Sequence, residues 1–595
     1  MGAARVSRQV LDPVNTTTGR LSEHATDIKI PSMGVPTEVS RGYTSGYDST
    51  VGLFGRGWDS TFDMRINDNQ NGTVTYTTAG GQEVTYQEVA GSNTYKGLYG
   101  ATATLSKTSA GWSLVNSDEQ TMFFNTSGKL LKVLDKFSHG YTLVYDTKGV
   151  LKTITDSAGH KLTVTMLNGR ITKIAQSSAR YTAYTYTNDR LTAVRELDGY
   201  TTSYAYDQSG NLTVITTPDL KTTVNTYDSF NRVVTQKDPA DRVSTFRWSS
   251  APVTSTTTPI SLTVTSPNGS SWTDTSSGNM LRSHKDANGN LTVYTYDKNA
   301  NMVSKTLPNQ TRITYTYDEN NNLTSTTDAL GSSSATYISD RRVKSSTDFN
   351  GQTTVYEYYS EGPKNKLLKS VTDANGHTTS FDYDSTNGLL VSTTDAKNNT
   401  AYISYYQDGQ VHTTTSAEGL VTTLAYDTYS RLKTSTSPSG LVTSIAYNTA
   451  DLPLTVTAPQ TGSSSKTYDV MGNTLTQRDA DGVKTTYTYD AVGRVLTSTD
   501  SGNHTTTTTY DDVNSLVTST SATGAVTVSH SNLMGQTDWV RGRLAIPHRQ
   551  VRMLRIKLLL GITMTRSVTP CQRHKRARTV YHEAVPIRMT YGVIN

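Results

Sequence analysis

Along most of the chain, apolar and aromatic positions alternate with Thr, Ser and charged residues at a period of two, the spacing that sends successive strand side chains to opposite faces. The stretch Tyr487-Thr488-Tyr489-Asp490-Ala491-Val492-Gly493-Arg494-Val495-Leu496 shows the unit most completely. Its tyrosines share one strand face, Asp490 and Gly493 carry turn chemistry, and Arg494-Val495-Leu496 leaves as the return strand. The pattern predicts a β-hairpin with a short loop. No long amphipathic helix is expected in residues 1–540.

The unit recurs at Tyr204, Tyr206 and Asp207, at Tyr294, Tyr296 and Asp297, and at Tyr315, Tyr317 and Asp318. From Asp427 the register advances 21 residues at a time to Asn448, Asp469, Asp490, Asp511 and Asn532. Each unit holds a second turn signal, as at Asp479-Ala480-Asp481-Gly482, so two strands and two turns fill one repeat. A lone hairpin is marginal in water, so neighbours must pair and the array must spiral or close to protect its edges. Repetition therefore outweighs the several domains that 595 residues would otherwise suggest.

The array is expected over residues 135–540, after an opening β module at residues 1–134. In that module Arg41-Gly42-Tyr43 and Gly52-Leu53-Phe54-Gly55-Arg56-Gly57-Trp58 combine glycines with aromatics, which predicts tight turns delivering Phe54 and Trp58 to a core. A phosphate cradle is a poor reading of the same glycines, because no helix pattern and no Lys-Ser/Thr pair follows them. Residues 250–277, rich in Ser, Thr and Pro, read as a degenerate unit with a long loop. The insertion Glu361-Gly362-Pro363-Lys364-Asn365-Lys366 reads as an exposed loop tip.

Composition changes the picture at one end. Only 34% of residues are hydrophobic, but 36 tyrosines and abundant threonine supply side chains suited to half-buried strands. The net charge of +5 is concentrated: residues 541–595 hold twelve Lys and Arg and one acid, leaving residues 1–540 with 43 basic and 49 acidic residues, a net of −6. That acidic body argues against nucleic-acid binding by residues 1–540 and sets the last 55 residues apart as a basic tail without repeats, disordered or read out of frame. Cys571 is the sole cysteine, so no intrachain disulfide is available. No apolar run of signal-peptide length lies in Met1 to Arg20, and none reaches the ~18 residues of a membrane span.

The recurring Tyr-x-Tyr-Asp phrases resemble the YD-repeat or RHS family, over about residues 135 to 535. The resemblance implies an all-β ribbon of hairpins spiralling into a hollow shell or partial shell, as in bacterial wall-associated proteins, polymorphic toxins and animal teneurins. It also implies a secreted or cell-wall and cell-surface location, so that with no signal peptide in Met1 to Arg20 either the true N-terminus is missing or the protein is cytosolic. Expected partners are cell-wall or cell-surface glycans and an enclosed toxin or its immunity protein. The role implied is a non-enzymatic scaffold of a contact-dependent toxin. Two alternatives stand beside it: an effector with a small nuclease-like tip in the tail, and a glycan-binding adhesin.

Candidate chemistry is thin. Asp286-Ala287-Asn288-Gly289-Asn290 places three oxygen ligands together, yet a calcium loop wants Gly at its sixth position and Glu at its twelfth, where Leu291 and Asp297 stand. Asp and Asn start turns by bonding their own backbone, so the structural role is favoured. Tyrosines on one strand face favour cross-strand packing over a sugar-stacking surface. His548, His574, His582 and Glu583 offer acid and base groups in a tail too short to build an enzyme core, and Cys571 with His574 lacks further zinc ligands. No catalytic, cofactor-binding or metal residue is assigned, and no cofactor is expected.

Overall fold

The computed structural model describes residues 9–10, 13–47, 51–98, 101–252, 258–532 and 537–543. The basic tail from residue 544 onward, with the nuclease-tip and zinc readings placed on it, lies outside the described residues. So does the centre of the long loop in the 250–277 unit, at residues 253–257. Among the described residues there is no α-helix.

One antiparallel sheet of 46 strands dominates, each strand pairing with the next in the chain from Arg65–Asp68 to Thr537–Arg543. It is a continuous ribbon whose two end strands do not pair with each other. One local ring exists at its start. There an antiparallel bridge joins Arg65 to Lys129, and the Ile66 amide donates to the Gly128 carbonyl at 2.9 Å, folding the first eight strands onto themselves. The final strand reaches Arg543, so Arg541 and Gly542, grouped with the tail on composition, pair with Val528 and Thr527.

The hairpins explain the 21-residue phrase. In the unit around Asp490, the Gly493 amide donates to the Asp490 carbonyl at 3.2 Å and the Asp490 amide donates to the Arg494 carbonyl at 2.9 Å. Gly493 has φ +78°, and the strand register slips between Thr488 and Tyr489. This is a type I turn closed by a left-handed residue and a bulge, a geometry that favours glycine. We call these the signature turns. The other turn of each unit, such as 479–483, is a linking turn and lies on the opposite margin of the ribbon.

The ribbon coils upon itself. Arg180 donates to the Thr449 carbonyl at 2.8 Å and pairs with Asp451 at 2.5 Å, Arg242 pairs with Asp512 at 2.8 Å, and Asn268 donates to Ser515 at 3.2 Å. Lys136 reaches the Asn365 carbonyl, and Lys366 pairs with Glu119. These partners stand 229 to 271 residues apart, which sets the length of one coil. Every first-coil partner here comes from the linking-turn margin, and every second-coil partner from a signature turn. The insertion 361–366 is an exposed tip, as expected, with Glu361, Gly362, Pro363 and Asn365 exposed, and through the Asn365 carbonyl and Lys366 it also joins this seam.

Inside the first coil lies the opening segment. Three of its strands, Ser22–Ile30, Thr37–Thr44 and Trp58–Ser60, form a small antiparallel sheet, and short strands pair Gln9–Val10 with Val14–Asn15 and Val51–Gly52 with Gly55–Arg56. Val39, Tyr43, Phe54 and Trp58 are buried there with Tyr184, Leu191, Val194 and Tyr204 of the coil. The buried apolar core runs from Val14 to Leu281; beyond Leu281 no described hydrophobic residue is fully buried. Among the described residues, the second coil thus has strands that bury no apolar side chain completely.

Candidate functional site

The signature residues are consumed by the fold. The second tyrosine of each phrase reaches back to the carbonyl fifteen residues earlier: Tyr206 donates to Leu191 at 2.7 Å, Tyr296 to Leu281 at 2.7 Å, Tyr317 to Met302 at 2.9 Å and Tyr489 to Thr474 at 2.7 Å. Trp248 makes the same bond to Val233 at 3.2 Å, which is why a tryptophan can stand in the series. Each such bond ties one hairpin to the one before it.

The aspartates work locally. One oxygen of Asp490 accepts the amides of Val492 and Arg494 at 3.0 and 2.9 Å, and the other accepts Arg494 Nε at 2.7 Å. Asp207, Asp297 and Asp318 take the same bonds from the amide and side chain of Asn211, Asn301 and Asn322. Burial alone would raise these carboxyls, but the hydrogen bonds outweigh it and hold Asp297, Asp318 and Asp490 below the usual carboxylate value. Asp286 is closed by Asn288 and Asn290 in the same way, so its oxygens serve the turn. Among the described residues no three His, Cys, Asp or Glu side chains are grouped to hold a metal.

The first tyrosines divide. Tyr204 is buried and accepts Arg41 at 3.1 Å, whereas Tyr294, Tyr315 and Tyr487 are half-buried along the ribbon. The named residues recur along one margin and do not converge on a single pocket.

The convergent chemistry is in the opening segment. Arg41, almost fully buried, is paired with Asp27 at 2.9 Å and lies over the rings of Trp58 and Tyr204. Burial opposes its charge, but Asp27 and the Tyr204 phenol raise its pKa. Tyr184 donates to Asp27 at 2.8 Å, and Trp58 Nε1 donates to the Tyr206 hydroxyl at 2.9 Å. Tyr43 donates to the Gly210 carbonyl and accepts the Leu212 amide, both at 2.9 Å. Leu53 accepts the Ile171 amide, Arg56 donates to the Asp189 carbonyl, and Gly19 accepts the Val233 amide. The segment thus grips four successive signature turns of the first coil.

Beside this grip a cavity of about 350 Å³ is lined by Arg20, Trp58, Asp59, Asp63 and Arg65. Asp63 accepts the Leu53 amide and the Ser60 hydroxyl, each at 2.8 Å. Burial pushes Asp63 up to about 6 against those bonds, and burial together with Asp63 pushes Asp59 up to about 7. Sequence reasoning passed over this pair. The available signal was two carboxylates four apart directly after the aromatic Trp58, within a segment already expected to enter a core.

Comparison with known proteins follows from this geometry. A family model described as RHS Repeat matches residues 187–222, 301–333, 364–400 and 468–505, and one described as a domain of unknown function matches residues 11–86. No curated protein matches the chain. The crystal structure of TcdB2-TccC3 resembles it at 12% identity and a TM-score of 0.55, over 79% of this chain and 31% of that one. The TcdB2-TccC3-Cdc42 crystal structure does so at 12% identity and a TM-score of 0.43, over 87% and 30%. A Photorhabdus luminescens Tc holotoxin pore does so at 11% and 0.41, over 87% and 30%. The chain spans less than a third of the length of those chains.

Proposed function

Because the chain belongs to the RHS/YD-repeat family and folds as its all-β shell, we infer that it is the scaffold portion of a bacterial contact-dependent or wall-associated toxin, acting outside the cell that makes it. In this reading it comprises an opening module, a coiled array and a separate basic tail. It encloses another polypeptide and performs no reaction itself.

The observation that carries this reading is the asymmetry of the interior. The first coil is filled by its own opening segment, whereas the second coil has no buried apolar residue after Leu281 among those described. A ribbon that curves without filling its inner face has room for another chain. The inner face of the second coil mixes half-buried apolar side chains such as Leu424 and Ile445 with serines and threonines, a surface that a guest chain can line without being fixed at one place. The glycan reading draws no support from the second tyrosine of each phrase, whose hydroxyl is spent on backbone.

The test is protection. A protease-sensitive reporter peptide is fused after Asn595 in one protein and before Met1 in another, and cleavage rates are compared. Enclosure predicts at least tenfold slower cleavage of the C-terminal reporter, with equal rates once the shell is denatured. Equal rates on the native protein would refute enclosure by this chain.

A further inference from the structure

The polar groups of the signature phrases are consumed by the fold, whereas the cavity beside the opening segment gathers several that are not. One of its walls is the start of the ribbon. Strand pairing sets Arg65 opposite Thr77 and Thr77 opposite Glu83, so the three side chains stand in one rank on one sheet face, and all three line the cavity. The other wall is the opening segment, with Trp58, Asp59 and Asp63. Two glycines let Asp59 in between them. A Cβ on Gly42 would lie 2.7 Å from Asp59 Oδ1, and one on Gly81, at φ +70°, would lie 3.1 Å from Oδ2.

Three groups at this cavity have no partner within the protein. Thr77 is 3% exposed and its hydroxyl makes no hydrogen bond. Asp59 is raised by burial and by Asp63, and neither a hydrogen bond nor a cation draws it back. Asp63 differs, since the Leu53 amide and the Ser60 hydroxyl occupy its oxygens. Arg65 is near enough for its charge to act on Asp63, yet it bonds to neither carboxyl. Arg20, by contrast, is spent on the Ser45 carbonyl. An acid, a base and a buried hydroxyl thus border one space without meeting, and each is costly to leave unpaired.

The mixture of charges selects the ligand. A simple cation would suit Asp59 but meet Arg65 and Arg20, and a simple anion would suit Arg65 but meet both carboxyls. A molecule that carries an ammonium and a carboxylate side by side suits all of them. We propose that the cavity is a binding site for a free α-amino acid, its ammonium on Asp59, its carboxylate on Arg65 and the Thr77 hydroxyl completing the contact. About 350 Å³ leaves room for a side chain beside Trp58. Because the walls belong to different parts of the chain, the bound amino acid ties the opening segment to the first strands of the ribbon and stabilises their union.

Binding is linked to protons. Asp59 holds its proton up to about pH 7, and an ammonium favours the ionised form, so affinity should rise about tenfold from pH 6 to pH 8. The other charged groups at the cavity are Asp63, Arg20, Arg65 and Glu83, with His24 across Gly42 from Asp59. Asp63, raised only to about 6, ionises first and adds to the pull on the ammonium.

The experiment is calorimetric titration of the full chain at pH 8 with glycine, alanine, phenylalanine and lysine in turn. Methylamine and acetate serve as probes of one charge each, and N-acetylglucosamine as a neutral polar probe. At least one amino acid is expected to bind at one site per chain and to raise the unfolding midpoint, with methylamine and acetate at least tenfold weaker. Asp59→Asn and Arg65→Gln should each weaken binding at least tenfold, and the milder Thr77→Val should weaken it less. Circular dichroism and hydrogen exchange over Thr37–Thr44 check that each variant keeps its fold; should Arg65→Gln fail that check, Asp59→Asn and Thr77→Val decide. The absence of binding by all four amino acids at about 10 mM would overturn the proposal. So would acetate, methylamine or N-acetylglucosamine binding as tightly as the amino acids, affinity that falls from pH 6 to pH 8, or binding that survives Asp59→Asn. The protection experiment on the reporter reads the interior of the coils, so its failure and the failure of this site are separate results.

Discussion

At the scale of single residues, the repeat phrase is a set of hydrogen bonds written in a fixed order. The turn role of Asp490 and Gly493 is readable from Asp and Gly at that spacing, because both act within five residues. The role of the second tyrosine is not, since its acceptor lies fifteen residues away on another hairpin and only the coil brings it near. Tyr489→Phe is expected to cost about 0.5–1.5 kcal/mol through the lost bond to Thr474. Tyr206→Phe should cost more, because its hydroxyl also accepts Trp58; chemical denaturation of the paired variants measures the difference. A gain is expected at Leu220, which sits at φ +65° with an exposed side chain. Leu220→Gly relieves a left-handed strain of about 1–2 kcal/mol, offset in part by added freedom in the unfolded chain, so the midpoint of unfolding should rise slightly.

At the scale of elements, hairpins were legible and their docking was not. Alternation and turn residues mark each strand pair, and the expectation that Phe54 and Trp58 enter a core agrees with their burial. What escaped was the surface they enter, the signature turns more than a hundred residues downstream, because nothing local in the sequence encodes a partner so distant. Asp59 and Asp63 escaped for another reason: the pair is visible locally, but the burial that raises both carboxyls is set by the packing of the segment. Both are held above the ordinary carboxylate value of about 3.9, so the folded segment binds protons more tightly than the unfolded chain. Their contribution to stability is full below about pH 4 and is lost as pH rises through 6 and 7. The repeat aspartates, held low, contribute in the opposite sense and lose their share as pH falls through and below that ordinary value. Hydrogen exchange should therefore show the strand Thr37–Thr44 better protected at pH 5 than at pH 8, while the array loses protection only in stronger acid. Asp59→Asn is expected to flatten most of the first trend.

At the scale of the whole molecule, the period foretold a spiral and left its pitch open. Residues 229 to 271 apart meet because of accumulated strand twist, a geometric quantity that no 21-residue window contains. The seam they form is polar and partly exposed, so its ion pairs are individually weak. Arg242→Ala is expected to cost under about 1 kcal/mol in global stability, yet to loosen the coil, since Arg242 holds Asp512. Small-angle scattering should show a larger radius for the variant, and high salt should expand the native chain in the same direction.

The stop of the core at Leu281 also orders events in time. A ribosome releases the opening segment and the first coil before any residue of the second, so the filled first coil is expected to form while the remaining hairpins are still being made. Later strands can then wind onto that finished former one unit at a time, each pairing with the strand just before it, and no long loop has to be closed in a single step. Nascent chains stalled a few repeats past Leu281 should resist protease in the described strands between Val14 and Leu281, whereas the second coil synthesised alone should not.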